Sequence, residues 1–338
     1  MRGLPFAVLL AGCFSNGLPD LSSGNDAAAY PLFADDFETE GAFPDAGGWS
    51  VYGQRTGSAL RRGADGAHRG ASGLVYEATA TGTGNSVCSH LGAHLAPDAG
   101  LREASVRAWS RMRQTNRGGY AITMFLESDN LTDPTQGGLT GAPHLIHNAE
   151  HADGTQFIRN TMPIDAGTWL LMELSVRECD ASGRCLALLH VDGRERSRWV
   201  IERGTSRITG FGVGSVFCGR EFTGVIDFDD VRLARGPQAS TLALSSDGGA
   251  VGACSPLRVE LRDSFGTPAD APYDLDVDVS IDGGEAFGDD RCTTPGRVRL
   301  LKGGRATGAW WRPARAGASW AGASHDDFVS APATLVAQ

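Results

Sequence analysis

The feature that most constrains this chain is a strict two-residue alternation in short runs that end at glycine or aspartate turns. In DLDVDVSID (274–282), Leu275, Val277, Val279 and Ile281 alternate with Asp274, Asp276, Asp278 and Asp282. A period of two puts one set on each face of a strand. REASVRAWSRMRQ (102–114) does the same, with Ala104, Val106, Ala108 and Met112 on one face and Arg107, Trp109, Arg111 and Arg113 on the other. YAITMFLES (120–128) alternates, and WLLMELSV (169–176) places Leu170, Met172, Leu174 and Val176 together. CLALLHVDG (185–193) ends in an Asp-Gly turn, and GVIDFDDVRLA (224–234) adds another strand. Long helical periodicities are missing, and glycine is abundant at 46 residues. Many short strands cut by glycine turns predict an all-β protein built of sandwiches.

The 338 residues suit two domains. The strand-dense segment 32–236 reads as one large sandwich. GPQAS (236–240) marks a boundary, after which the rhythm changes: STLALSS, LRVELRD, DLDVDVSI, RVRLLKGG, RATGAWWRP, GASWAGAS and ATLVA. Residues 237–338 are therefore predicted to form a smaller immunoglobulin-like β-sandwich. Its Trp310-Trp311 pair must split, one ring inward and one outward. The acidic stripe of 274–282 would discourage edge-to-edge strand pairing. A formal charge of −10 argues against nucleic acid as a partner.

The N-terminus carries a different signal. Met1-Arg2 precedes a short apolar run, Leu4 to Leu10, then Ala11-Gly12-Cys13. One positive charge, an apolar segment too short to span a bilayer and small residues form the layout of an export signal. The L-A-G-C tetrad resembles a bacterial lipobox. The resemblance implies a lipoprotein signal peptide over 1–12, cleavage before Cys13, and acylation of Cys13 as the membrane anchor. Phe14, rather than Asp, resembles the outer-membrane sorting pattern of Gram-negative lipoproteins. Residues 13–31 are small, polar and turn-prone and read as a flexible tether. Cys88, Cys179, Cys185, Cys218, Cys254 and Cys292 then remain, an even number that in an exported chain points to disulfides.

Two signatures in the first domain resemble known folds. FADDFET (33–39) followed by Trp49 is similar to the start of concanavalin A-like jelly rolls, and IDFDDVRLA (226–234) to their last strand. GTWLLMELSVRECDASGRCLALLHVDG (167–193) resembles the laminin-G and pentraxin-type hairpin. The resemblance implies a concanavalin A-like fold, often glycan-binding and sometimes catalytic. GACSPLRVELRDSFGTPADAP (252–272) and FGDDRCTTPGRVRLLKGG (287–304) resemble bacterial Ig-like repeats, which implies a Cys254–Cys292 disulfide. Cys179 and Cys185 flank the turn DASGR, which brings them near each other, and Cys88 and Cys218 are left as a pair.

Catalytic carboxylates are hard to find. Laminarinase-type members of this fold carry E-x-D-x-x-E on one strand; the nearest run, Glu178-Cys179-Asp180, has Gly183 where the second glutamate belongs, and it lies at a hairpin tip. No G-x-S-x-G elbow occurs. The best ligand candidates are Arg107, Trp109, Arg111 and Arg113 on one strand face, joined by Tyr120: a ring for stacking on a sugar, and guanidinium forks for carboxylates or sulfates. The bland alternative is a solvated face in an arginine-rich chain. His144, His147 and His151 offer three imidazoles that zinc could use, but they read better as a polar loop over the sheet. Asp35, Asp36 and Glu38 near the first strand and Asp227, Asp229 and Asp230 in the last form acidic ends that the fold brings together. The resemblance implies a structural calcium held by Asp36, Glu38 and Asp229.

The sequence thus predicts an exported, lipid-anchored envelope protein of the outer membrane, binding extracellular or cell-wall glycan through its jelly roll without catalysis. The alternatives are a lyase acting on an anionic polysaccharide through Arg107, Arg111, Tyr120 and a histidine, a glycoside hydrolase, and a structural adhesion protein.

Overall fold

A computed structural model describes residues 32–41, 43–44, 48–52, 57–78, 89–95, 100–115, 120–129, 135–140, 144–150, 156–218 and 223–338. Cys13, the tether, Cys88 and His151, with the side chains of Tyr120, His144 and Cys218, lie outside what is described. The protein is all-β, with a single 3-10 turn at Ala64–Gly66 and no α-helix among the described residues.

The first sandwich contains β1 (Phe33–Asp35), β2 (Ser50–Tyr52), β3 (Ser58–Gly63), β4 (Gly73–Ala78), β5 (His90–His94), β6 (Ala104–Thr115), β7 (Tyr120–Ser128), β8 (Thr135–Thr140), β9 (His144–Glu150), β10 (Gln156–Pro163), β11 (Trp169–Arg177), β12 (Arg184–Val191), β13 (Arg194–Glu202), β14 (Ile208–Cys218) and β15 (Gly224–Ala234). One sheet runs β13-β12-β11-β6-β15-β4-β3, with β1 also paired to β15; the other runs β10-β9-β8-β7-β14-β5-β2. All pairings between them are antiparallel, the arrangement of a jelly-roll sandwich.

The alternation decides the core. Ala104, Val106, Ala108 and Met112 of β6 and Leu170, Met172, Leu174 and Val176 of β11 meet Leu91, Met124, Leu126, Phe211 and Val213 of the facing sheet. His147 enters this interior too. Residues 144–150 form β9 rather than a loop, and the His147 ring lies between the sheets, bonded to Thr135 Oγ1 and Ser197 Oγ at 2.8 Å each. Both ring nitrogens are taken by hydroxyls, and burial pulls its pKa down to about 3, so it is a neutral core histidine.

The chain leaves β15 at Ala234 and enters a second sandwich: β16 (Ala239–Ser245), β17 (Ser255–Asp263), β18 (Leu275–Ile281), β19 (Gly284–Phe287), β20 (Arg297–Leu300), β21 (Ala306–Pro313), β22 (Gly317–Ser324), β23 (Val329–Ser330) and β24 (Ala333–Ala337). These form sheets β19-β21-β17-β16-β23 and β20-β18-β22-β24 around a separate core. Trp311 is buried there and Trp310 half-exposed, the predicted split. The acidic stripe has a different reason from the one predicted. β18 is an inner strand, and Asp278 and Asp274 pair with Arg297 and Arg299 of β20 at 2.8 Å each. Cys179–Cys185 and Cys254–Cys292 are disulfides.

Candidate functional site on the outer face of the seven-stranded sheet

The strip singled out on β6 does not form a ligand surface. Arg107 is only 1 % exposed because the second sandwich packs over it: Nη1 donates to the Ala239 carbonyl, and the guanidinium stands 5.6 Å over the Phe328 ring. Trp109 is buried beneath His68, whose ring stacks on it at 4.0 Å. Arg111 and Arg113 both reach the buried Asp227, at 2.8 Å each. Arg111 also donates to the Asp65 carbonyl and lies 4.5 Å over Trp169. A guanidinium spent on a buried carboxylate is unavailable to a sugar acid. The face is closed at one end by the second sandwich and along its length by residues 64–69.

The carboxylates of the acidic ends are engaged with backbone N–H groups. Asp229 Oδ2 accepts the backbone N–H groups of His68 and Arg69 at 2.8 and 3.1 Å. Glu38 Oε1 accepts those of Ala71 and Ser72 at 2.7 and 2.8 Å. Asp36 caps the Glu38 N–H at 3.2 Å. Asp229 and Glu38 thus hold opposite ends of one loop, and no group of three or more metal-binding side chains occurs among the described residues.

The opposite sheet carries a second polar cluster, in which Tyr52 and His94 are exposed, Glu127 is half-buried, and His90 and Phe125 are buried. In HLGAH (90–94), Leu91 and Ala93 enter the core, so His90, Gly92 and His94 face outward. In GFGVG (210–214), Phe211 and Val213 enter the core and the three glycines face outward. On β7, Met124 and Leu126 point in while Phe125 and Glu127 point out. The result is a lane without side chains along β14, on which larger groups lie flat. A Cβ at Gly212 would stand 2.3 Å from the Phe125 ring, and one at Gly92 would stand 2.9 Å from the Tyr52 ring.

Tyr52, 37 % exposed on the edge strand, anchors the cluster. Its ring stacks on His90 at 5.3 Å, and His90 meets Phe125 edge-on at 5.3 Å. The Tyr52 hydroxyl bonds to His94 Nε2 at 2.7 Å, and His94 Nδ1 lies 3.0 Å from Glu127 Oε2. Burial pushes the Glu127 carboxyl up to about 7. An ionised Glu127 accepts the Nδ1 proton and leaves Nε2 to accept from the tyrosine; a protonated Glu127 reverses the tautomer. The chain can therefore pass a proton between a half-buried carboxyl and an exposed phenol.

None of Tyr52, His90, His94 and Glu127 stands out in the sequence patterns above. The signals were present: two histidines four apart on one strand face, and three glycines at alternate positions. What joins them is the order β7-β14-β5-β2, which no local period encodes.

No family model matches the chain, and no curated protein is similar to it in sequence. Among solved structures, endo-β-1,4-glucuronan lyase from the fungus Trichoderma reesei is similar at 16 % identity, over 61 % of this chain and 96 % of that one, with a TM-score of 0.45. The cellulose-induced protein Cip1 is similar at 15 % identity, over 60 % and 97 % of the two chains, with a TM-score of 0.43. The carbohydrate-binding module CBM66 from Bacillus subtilis is similar at 10 % identity, over 55 % and 95 %, with a TM-score of 0.34. These likenesses concern the arrangement of strands and not the role of any residue.

Proposed function

We propose that this chain is an exported, lipid-anchored protein of the outer membrane that binds extracellular or cell-wall polysaccharide on the outer face of its seven-stranded sheet. The observation that carries the reading is the surface at Tyr52: an exposed ring beside His94 and Glu127, on a sheet paved with glycine. A flat ring takes the apolar face of a sugar, and the imidazole and carboxyl groups bond its hydroxyls. The second sandwich, read as immunoglobulin-like, packs on the other sheet. Export is supported by the Met1–Cys13 pattern and by two disulfides, which persist in oxidising compartments. Glycan-array binding that is lost in Tyr52→Ala supports this reading; undiminished binding in that variant overturns it. Intact mass of the protein from its native envelope tests the anchor: acyl mass on an N-terminal Cys13 is expected.

One observation favours a second reading. The Tyr52–His94–Glu127 chain has the parts for general acid–base chemistry, and on an acidic polysaccharide a phenol and imidazole could remove the proton beside a uronate carboxyl and protonate the leaving oxygen. Tyr52→Phe separates the two. It keeps the stacking ring and removes the proton carrier, so binding persists under both readings. Formation of an unsaturated uronate, abolished by this variant, would establish the lyase. Neither binding nor product would leave the adhesion role.

A further inference from the structure

The four-stranded sheet of the second sandwich carries the most exposed large apolar side chain among the described residues. Trp320 of β22 is 65 % exposed. On this strand Ser319, Ala321 and Ala323 are buried, so Ala318, Trp320 and Gly322 face outward. Thr334 of β24 stands opposite Trp320, and Ser280 of β18 stands opposite Gly322. Asp282 donates its N–H to the Trp320 carbonyl at 2.8 Å and flanks it on the side away from Thr334. Beside the ring the floor is bare. A Cβ at Gly322 would stand 3.1 Å from Ser330 Oγ and 3.8 Å from Ser280 Oγ, so two hydroxyls border it.

A lone exposed ring needs no explanation; its surroundings decide whether it is a site. A protein partner anchors on aromatic residues set in a wider apolar core. Here the apolar surroundings are Ala318 and, opposite it, Val336, and the remaining flanks are hydroxyl, carboxylate and glycine. That mixture suits a sugar: an indole takes the C–H face of a pyranose, and serine and aspartate side chains bond its hydroxyls. Charge narrows the class. Asp274 and Asp278 are paired with Arg299 and Arg297, whereas Asp276 and Asp282 form no ion pair among the described residues. The surplus on this face is negative, and it repels a uronate or sulfated chain.

We infer that this face binds a flat glycan free of negative charge, with one pyranose stacked on Trp320 and the next unit over Gly322 between Ser280 and Ser330. The unpaired carboxylates favour an amino sugar over a neutral one. The site lies on the second sandwich, apart from Tyr52, and stands or falls separately from the reading of that surface. One ring is a weak contact by itself, read in a titration and not on a washed array; joined to a second contact on the same glycan chain it adds avidity.

Titration of the full chain carrying Tyr52→Ala, which takes away the first surface, tests this with chitohexaose, a fully de-acetylated glucosamine hexamer and a galacturonate hexamer. The glucosamine hexamer is expected to bind most tightly, chitohexaose next and the galacturonate hexamer least. Calorimetry gives the affinity, and protection of tryptophan fluorescence from acrylamide places the ligand on an exposed indole. Trp320→Ala in this background is expected to weaken both favoured hexamers at least about tenfold, the loss of an aromatic anchor. Its thermal midpoint should stay unchanged, because the ring stands in solvent. Trp320→Phe should restore part of the binding. Binding of neither favoured hexamer, binding undiminished by Trp320→Ala, or tightest binding of the galacturonate hexamer would overturn the assignment. So would a dimer in sedimentation that Trp320→Ala dissolves, which would give the face to a second copy of the chain. The Tyr52 reading fails on the array alone and is not touched by these outcomes.

Discussion

His94 and Glu127 lie on strands that are not neighbours, and their side chains meet 3.0 Å apart over Gly210 of the strand between them. Both pair with Gly210 in register, one from each side. The glycine is a condition of the contact. A Cβ there would stand 2.6 Å from Glu127 Oε2 and 3.0 Å from His94 Nδ1.

Gly210→Ala is therefore expected to separate the pair. It should lower stability by about 1–3 kcal/mol, the usual cost of overpacking. Urea unfolding gives the stability, and NMR contacts between the His94 and Glu127 side chains report the pairing. Unchanged stability together with unchanged contacts would contradict the arrangement.

Glu173 makes stability depend on pH. Burial raises its carboxyl to about 7, against the pull of Arg107, from an ordinary value of 4.5. Between those values the folded protein holds a proton that the unfolded chain has released, so this group's contribution falls as pH rises. Glu173→Gln should therefore gain on the wild type across that window and keep a constant difference below it. His147 and His190, lowered by burial to about 3 and about 4, act in the opposite sense: their contribution is lost as pH falls below the ordinary histidine value. The difference between variant and wild type isolates Glu173. Equilibrium unfolding at several pH values measures it, and a flat difference would refute it.

The disulfides should differ in weight. Cys254–Cys292 spans a sequence separation of 38 and Cys179–Cys185 one of 6. The loop-closure model gives about 4 kcal/mol for the first and about 2 for the second. Paired Cys→Ser variants under denaturant would test the order. Equal losses would point away from a loop-entropy origin.

Asp327 joins the sandwiches. It is completely buried in the second one, and Arg69 of the first reaches it at 2.6 Å and Asp230 at 2.9 Å. Removing Asp327 leaves Arg69 paired with Asp230 and takes away only the pairing that crosses between the sandwiches. Asp327→Ala should split one calorimetric unfolding transition into two. A single, unshifted transition would show the interface is held elsewhere.

Chelation tests the calcium expectation for Asp36, Glu38 and Asp229. Glu38 and Asp229 already fasten residues 68–72 through backbone N–H groups. Thermal melts with EDTA and with added calcium should coincide. A clear rise with calcium would restore the expectation.

The alternation in the sequence by itself determined which side chains face inward. Ala104, Val106, Leu170, Met172 and Val277 are core residues because a strand offers only two faces and only one is dry. It also determined the all-β class and the closeness of Cys179 to Cys185. It did not determine what covers the outward face. Arg107, Trp109, Arg111 and Arg113 read as an open surface, yet Ala239, His68 and Asp227 close it from distant positions in the chain. The reverse holds for Tyr52, His94 and Glu127, which are unremarkable in sequence and meet only because β14 separates β7 from β5 with a glycine. Facing is a local property, carried by backbone period. Exposure and convergence are set by strand order and by the packing of one sandwich on another, and those arise from the tertiary structure alone.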